Sequence, residues 1–251
     1  MPAYNEAGVR VALENTLKGM LDVGEGLEWT LFVVDDGSTD DTYQKIKEAA
    51  DQLNLRQFAE LIIIKNPKNL GLDGTLLNTY RLIEGRQDIQ WILKTDLDAD
   101  FDQSAVLREL IPRRNLKEIV IGQRVYPLDV NLQEVNYYEY TRLKDCMALI
   151  ETEFGIRNFD PSSVGSQIYS IQVLRQLLSL PPIMNHTKRW GLDILIPLVY
   201  GGAFQILPLE GKYFLERRGK QKVQQSYDNF VELIAHIKNK IPHQISPLYH
   251  N

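Results

Sequence analysis

Four short apolar runs punctuate the first half of the chain: WTLFVV (29–34), LIIIK (61–65), QWILKT (90–95) and EIVIGQ (118–123). Each is too short for a buried helix, and most carry the β-branched residues that suit a strand. Helical periods lie between them. Tyr43, Ile46, Ala50 and Leu53 share one helix face in residues 42–53. Residues 74–85 and 103–111 repeat that pattern, and Gly85 and Pro112 end them. Strands that read as continuous apolar runs are covered on both faces. Their alternation with helices therefore predicts an α/β fold, a mostly parallel central sheet with helices on both faces.

The second half is richer in helix. Residues 136–155 and 223–240 are long enough for several turns, and 190–202 reads as a helix kinked at Pro197. Residues 165–171 look like a strand leading into a short helix, and 204–220 like a hairpin or two short strands. The beginning is unusual. MPAYNEAGVRVALENTL sets a loop and a helix first, with Asn5 as the expected cap and Val9, Leu13 and Leu17 as the buried face. A parallel sheet normally feeds such a loop from a strand, so the first strand is expected to be truncated or the sheet short by one. At 251 residues, with no linker or repeat, one domain accounts for residues 1–251.

Composition narrows function by exclusion. A net charge of −5 argues against a nucleic-acid partner. The lone Cys146 allows no internal disulfide and fits a reducing compartment. The four histidines lack metal-ligand spacing. No apolar run approaches the ~18 residues of a spanning helix. The expected location is cytoplasmic, with peripheral contact at the cytoplasmic membrane face left open.

The acids point to chemistry. In VVDDGSTDDT (33–42) a buried strand ends in Asp35 and Asp36. Gly37 suits a turn, and Ser38 or Thr39 could cap the next helix, but neither explains two acids at a strand end. Open α/β sheets bind ligands at the carboxyl ends of their strands, where such acids grip ribose hydroxyls or a base edge. NPKNLGLDGTL (66–76) enters the next helix, with Asp73 as a candidate cap. The glycine fingerprints of dinucleotide and P-loop sites are absent. In KTDLDADFD (94–102) acids stand at every second position. On an extended backbone Asp96, Asp98 and Asp100 share a face and repel one another unless a cation sits among them. Mg²⁺ or Mn²⁺ suits oxygen ligands of this kind. Asp102 reads instead as the cap of helix 103–111. Together the clusters suggest one ligand, a nucleoside diphosphate arriving with a divalent ion.

PAYNE, VVDDGSTD, NLG and DLDAD, in this order and spacing, resemble the family 2 glycosyltransferases of GT-A fold over residues 2–124, and more loosely to residue 222. The resemblance implies a metal-dependent, inverting transfer of a sugar from a UDP- or GDP-linked donor. It implies that Pro2, Ala3, Tyr4 and Glu6 line the nucleotide pocket and that Asp35 or Asp36 meets base or ribose. Asp96 would lie near the ribose or the metal, and Asp98 and Asp100 would hold Mg²⁺ or Mn²⁺. Either Asp96-Leu97-Asp98 or Asp98-Ala99-Asp100 could be the metal motif. Residues 1–124 would bind the donor and 125–251 the acceptor.

Within that second half, VIGQRVYP (120–127), FDPSSVGSQIYSIQVL (159–174) and LERRGKQK (215–222) resemble segments of polyprenyl-phosphate sugar transferases such as dolichol-phosphate mannose synthase. Gln123 stands where serine is usual and Gln167 near the usual arginine, and the last segment is one residue short and lacks a serine. Arg124, Arg217, Arg218, Lys220 and Lys222 are then candidates to hold an acceptor phosphate, with Arg124 also adding charge at the reaction centre. Asp193, inside the apolar KRWGLDILIP (188–197), resembles the acid that opens a helix and acts as general base in hydroxyl-acceptor enzymes such as glucosyl-3-phosphoglycerate synthases. A phosphate acceptor needs no base. The acceptor is therefore expected to be either a polyprenyl phosphate or a small hydroxyl compound. A non-catalytic nucleotide-sugar-binding protein and a metal-dependent phosphotransferase are the rival classes.

Overall fold

The computed structural model describes residues 1–24, 26–97, 102–125, 137–161, 164–180, 183, 191–200, 204–210 and 220–240. In chain order the elements are β1 (Pro2–Ala3), α1 (Val9–Asp22), β2 (Thr30–Asp35), α2 (Thr42–Gln52), β3 (Glu60–Lys65), α3 (Gly71–Glu84), β4 (Trp91–Lys94), α4 (Gln103–Leu110) and β5 (Ile119–Val125). There follow α5 (Tyr137–Phe154), β6 (Ser166–Ser170), α6 (Ile171–Ser179), α7 (Leu192–Tyr200), β7 (Phe204–Glu210) and α8 (Lys220–Lys240).

The strands form two groups, β1-β2-β3 and β4-β6-β5-β7. The first group is wholly parallel. In the second, β5 and β7 are parallel and β6 runs antiparallel to both its neighbours. The expected mostly parallel sheet is therefore present, with β6 as the reversed member. Leu97 N donates to Pro2 O at 3.1 Å, so the end of β4 meets β1. β1 thus stands between β2 and β4, and Asp35 and Asp96 lie at the ends of strands that are not adjacent. β1 is only two residues long. Behind it the edges of β2 and β4 face one another across a cavity of about 640 Å³, lined by Phe32, Leu76, Ile83, Ile92 and Ile168 among others.

Alternation along the strands sends side chains to opposite faces. Phe32, Ile92, Ile119, Ile121 and Tyr169 pack with α3, α5, α6, α7 and α8 on one face. Val33 and Leu61 pack under α1 and α2 on the other, and Val120 and Ile168 under α4. Apolar residues on both faces of one strand explain why the runs read as continuous.

Three local expectations are corrected. Asn5 does not cap α1, which begins at Val9. It takes a left-handed conformation with φ 50° and its Oδ1 accepts from Thr39 N at 2.9 Å, tying the first loop to the second. Glu6 does the nearby work, its Oε1 accepting from Gly8 N at 2.7 Å. Neither Ser38 nor Thr39 caps α2, whose first-turn Thr42 N is instead taken by Asp40 Oδ1 at 2.9 Å. Asp73 lies in the first turn of α3 but serves a different helix, accepting from Leu192 N of α7 at 3.0 Å. Asp102 caps α4 as expected, accepting from Ser104 N at 2.9 Å. Of residues 204–220, the described ones are β7 and the first residue of α8; the expected second strand falls on 211–219, which lie outside the described residues. Among the described residues no helix is long and apolar enough to cross a membrane.

Candidate active site

Asp35 and Asp36 separate in role. Asp36 is buried, and its Oδ1 accepts from Asn66 Nδ2 at 2.9 Å, Leu70 N at 2.8 Å and Thr75 Oγ1 at 2.6 Å. Its Oδ2 accepts from Gly71 N at 2.9 Å. This carboxylate therefore caps the start of α3 from a neighbouring strand and is consumed by the scaffold. Asp35 differs. Its Oδ1 accepts from Ser38 N at 3.1 Å, while its Oδ2 is buried with no hydrogen-bond partner among the described residues. A buried carboxylate oxygen left open is costly, and this one lies at the strand end where α/β sheets hold ligands. The turn that follows needs Gly37. Its φ is +67°, and an added Cβ would lie 2.4 Å from the carbonyl carbon of Lys68.

The Pro2–Ala3 segment contributes through its main chain. Ala3 is packed in the core, Ala3 O accepts from Asp36 N at 2.8 Å and Pro2 O from Leu97 N. Of the four pocket residues expected there, Tyr4 is the one with an open side chain, at 45% exposure. Glu6 is held by Gly8 N.

The second cluster centres on a residue with no assigned role in the sequence reading. Lys94 closes β4 on the same face as Ile92, and it is 3% exposed. Its Nζ lies 2.9 Å from Asp96 Oδ1 and 2.7 Å from Asp193 Oδ2. Burial works to strip its proton, and the two carboxylates outweigh it, so the ammonium is held above its ordinary value. Asp193 sits in the first turn of α7, its side chain 12% exposed. Burial pushes its carboxyl up to about 7, with Lys94 pulling against this and the charges of Asp96 and Asp73 adding to it. Gln167, opposite Lys94 across the β4–β6 pair, donates its Nε2 to Asp193 O at 2.5 Å. Tyr80 and Tyr169 wall this chamber edge to face, with ring centroids 6.3 Å apart. Burial keeps both hydroxyls protonated far above the ordinary range.

The structure thus joins Asp96 and Asp193, distant in sequence, through one ammonium. The sequence signal for Lys94 was a charge closing a strand otherwise buried. Two of the departures from the family pattern, Gln123 and Gln167, have employment. Gln167 holds the Asp193 main chain, and Gln123 Nε2 donates to Asn158 O at 3.1 Å while its Oε1 accepts from Asp160 N at 2.9 Å. Arg124 lies in β5 opposite Leu209, and Lys220 is the first residue of α8; the side chains of both, with Lys222, are outside the described set. Asp98, Asp100, Arg217 and Arg218 also lie outside the described residues. Among the described residues no three His, Cys, Asp or Glu side chains converge on a metal position. The donor set the sequence offers, carboxylate oxygen throughout, is nevertheless what Mg²⁺ or Mn²⁺ takes.

An open, mostly parallel α/β sheet covered by helices on both faces is the GT-A fold. The glycosyl transferase family 2 model matches residues 1–176, and the chain belongs to that family. A dolichyl-phosphate beta-glucosyltransferase of Saccharomyces cerevisiae is 26% identical over 210 residues, covering 77% of this chain and 59% of the yeast protein. The chain thus spans about three fifths of that relative. Glucosyl-3-phosphoglycerate synthase of Mycobacterium tuberculosis shares the fold. Its structure with Mn²⁺, UDP-glucose and phosphoglyceric acid gives a TM-score of 0.59 at 14% identity, covering 96% of this chain and 79% of the other. Its structure with Mg²⁺ and UDP gives 0.58 at 16% identity with the same coverage.

Proposed function

We propose that this chain is a metal-dependent, inverting glycosyltransferase that moves a sugar from a UDP- or GDP-linked donor to an acceptor. The observation that carries this reading is the Asp96–Lys94–Asp193 bridge, which brings an acid of the donor half, residues 1–124, to an acid of the acceptor half, residues 125–251. Asp35, through its open oxygen, takes a ribose hydroxyl or the base edge, and Tyr4 covers the nucleoside. Asp98 and Asp100, with Asp96 beside them, are the residues to hold Mg²⁺ or Mn²⁺. When bound, the ion supplies positive charge against the departing nucleoside diphosphate. Arg124, Arg217, Arg218 and Lys220 supply cations for acceptor phosphate or leaving group.

The likeness to the yeast enzyme supports a polyprenyl phosphate as acceptor, which would bring the chain to a membrane surface. A second reading, a small hydroxyl acceptor, is favoured by Asp193, whose carboxyl is pushed up to about 7 and so can receive a hydroxyl proton near neutral pH. The test is a matrix of labelled UDP-glucose and GDP-mannose against dolichyl phosphate in detergent and 3-phosphoglycerate, each with Mn²⁺, Mg²⁺ or EDTA. Ion-dependent transfer to either acceptor supports the proposal and chooses between acceptors. Donor binding with no transfer to any acceptor makes the chain a nucleotide-sugar-binding protein.

A further inference from the structure

Asp193 is held at several points, and they do different things. Asp73 Oδ2 accepts from Leu192 N and so fixes where α7 begins. Gln167 Nε2 donates to the Asp193 carbonyl and fixes the first turn. Gly191, at φ +114° and with an added Cβ only 2.7 Å from Leu233 Cδ2, lets the chain enter that turn close against α8. All of these act on main chain. The carboxylate itself is touched differently. Asp193 Oδ2 meets Lys94 Nζ, and Asp193 Oδ1 has no hydrogen-bond partner among the described residues.

Lysine is among the residues least often buried, and an ammonium is costly to bury without partners. Lys94 is nevertheless the last residue of strand β4, its backbone registered against Gln167. A group on a strand is placed more rigidly than one on a loop. Its partners come from different parts of the chain, Asp96 from two residues downstream and Asp193 from 99 residues away. Remove the ammonium and two acids face each other with nothing between them. The unopposed carboxylate of Asp193 would then turn from its place.

We infer that Lys94 is a positioning residue for sugar transfer: as the shared counter-ion of Asp96 and Asp193, it fixes the direction in which the Asp193 carboxylate faces the acceptor. This rests on the reading of the chain as a glycosyltransferase that uses Asp193 as its base. Lys94 does not itself touch the reacting atoms.

The test is a double-mutant cycle on steady-state transfer to a hydroxyl acceptor, with donor affinity measured alongside. Lys94→Met should lower kcat at saturating donor and metal about 100-fold, the usual cost of a misplaced catalytic group, beyond any rise in donor KM from the freed Asp96. In an Asp193→Asn background, Lys94→Met should change kcat by no more than about twofold, because the group it positions is gone. Equal losses in both backgrounds would overturn the inference, as would a loss carried wholly by donor KM. Asp193→Asn with full kcat would overturn the base and the positioning role together. Absence of transfer by the wild-type chain with every donor and acceptor would instead sink the functional reading, and the inference with it. If Lys94→Met does not fold by circular dichroism, Lys94→Gln takes its place in the same cycle.

Discussion

Asp36→Ala is predicted to destabilise the fold while its neighbour Asp35 bears on ligand. The mutation removes the Asp36 acceptor from Asn66 Nδ2, Leu70 N, Thr75 Oγ1 and Gly71 N; of the two main-chain donors, Gly71 N keeps another, Asn69 Oδ1 at 3.1 Å. The main-chain donors of Leu70 and Gly71 open α3 and are part-buried, so losing their cap costs about 1 kcal/mol. Asn66 and Thr75 are 8% and 1% exposed. They keep their mutual 2.8 Å bond, but each retains a hydrogen with no acceptor, at about 1–3 kcal/mol apiece. The sum is roughly 4–5 kcal/mol, or a fall in Tm on the order of 10 °C for a chain of this length. Asp36→Asn keeps an oxygen for the three donors on Oδ1 and sets an amide against Gly71 N, so it should cost about half as much. Equilibrium urea unfolding of wild type, Asp36→Asn and Asp36→Ala gives the series. A loss below about 1 kcal/mol for Asp36→Ala, or equal losses for both variants, would refute the assignment of this acid to the scaffold.

Other outcomes follow from the same geometry. Gly37→Ala places a Cβ 2.4 Å from the Lys68 carbonyl carbon at φ +67° and should cost about 3 kcal/mol in thermal or urea unfolding. With a hydroxyl acceptor, kcat should fall about tenfold per pH unit below the Asp193 value, because a protonated carboxyl cannot take the proton. That value is about 7, so a flat profile between roughly pH 5.5 and 8 would contradict the role. EDTA should abolish transfer and Mn²⁺ restore it, and Asp98→Ala should lower kcat by at least about 100-fold in a metal-saturated assay.

Much of the architecture was legible because burial on both sheet faces writes continuous apolar runs. Phe32 and Val33, adjacent in sequence, feed opposite cores, and no polar residue interrupts them. What the sequence concealed was partnership between distant segments. VVDDG contains two acids alike in context, and only the arrival of Leu70, Gly71 and Thr75 from the next element shows that Asp36 is spent and Asp35 is not. Asp73 looks like the cap of its own helix, yet it caps α7, over a hundred positions away in the chain. Lys94 resembles a strand-end charge that water would solvate. Its meaning depends on Asp193, which local periodicity cannot bring beside it. Asp102 was readable because a cap is a contact between residues two positions apart.

The central claim, on the hydroxyl-acceptor reading, is that donor binding rests on Asp35 and acceptor activation on Asp193. Calorimetric titration of UDP and GDP, in the presence of Mn²⁺, into Asp35→Asn and Asp193→Asn tests it most directly. The account predicts that the preferred nucleotide binds Asp193→Asn within about twofold of wild type and binds Asp35→Asn at least about tenfold more weakly, the loss of a charge-assisted hydrogen bond. Wild-type affinity in Asp35→Asn, or lost affinity in Asp193→Asn, would contradict it.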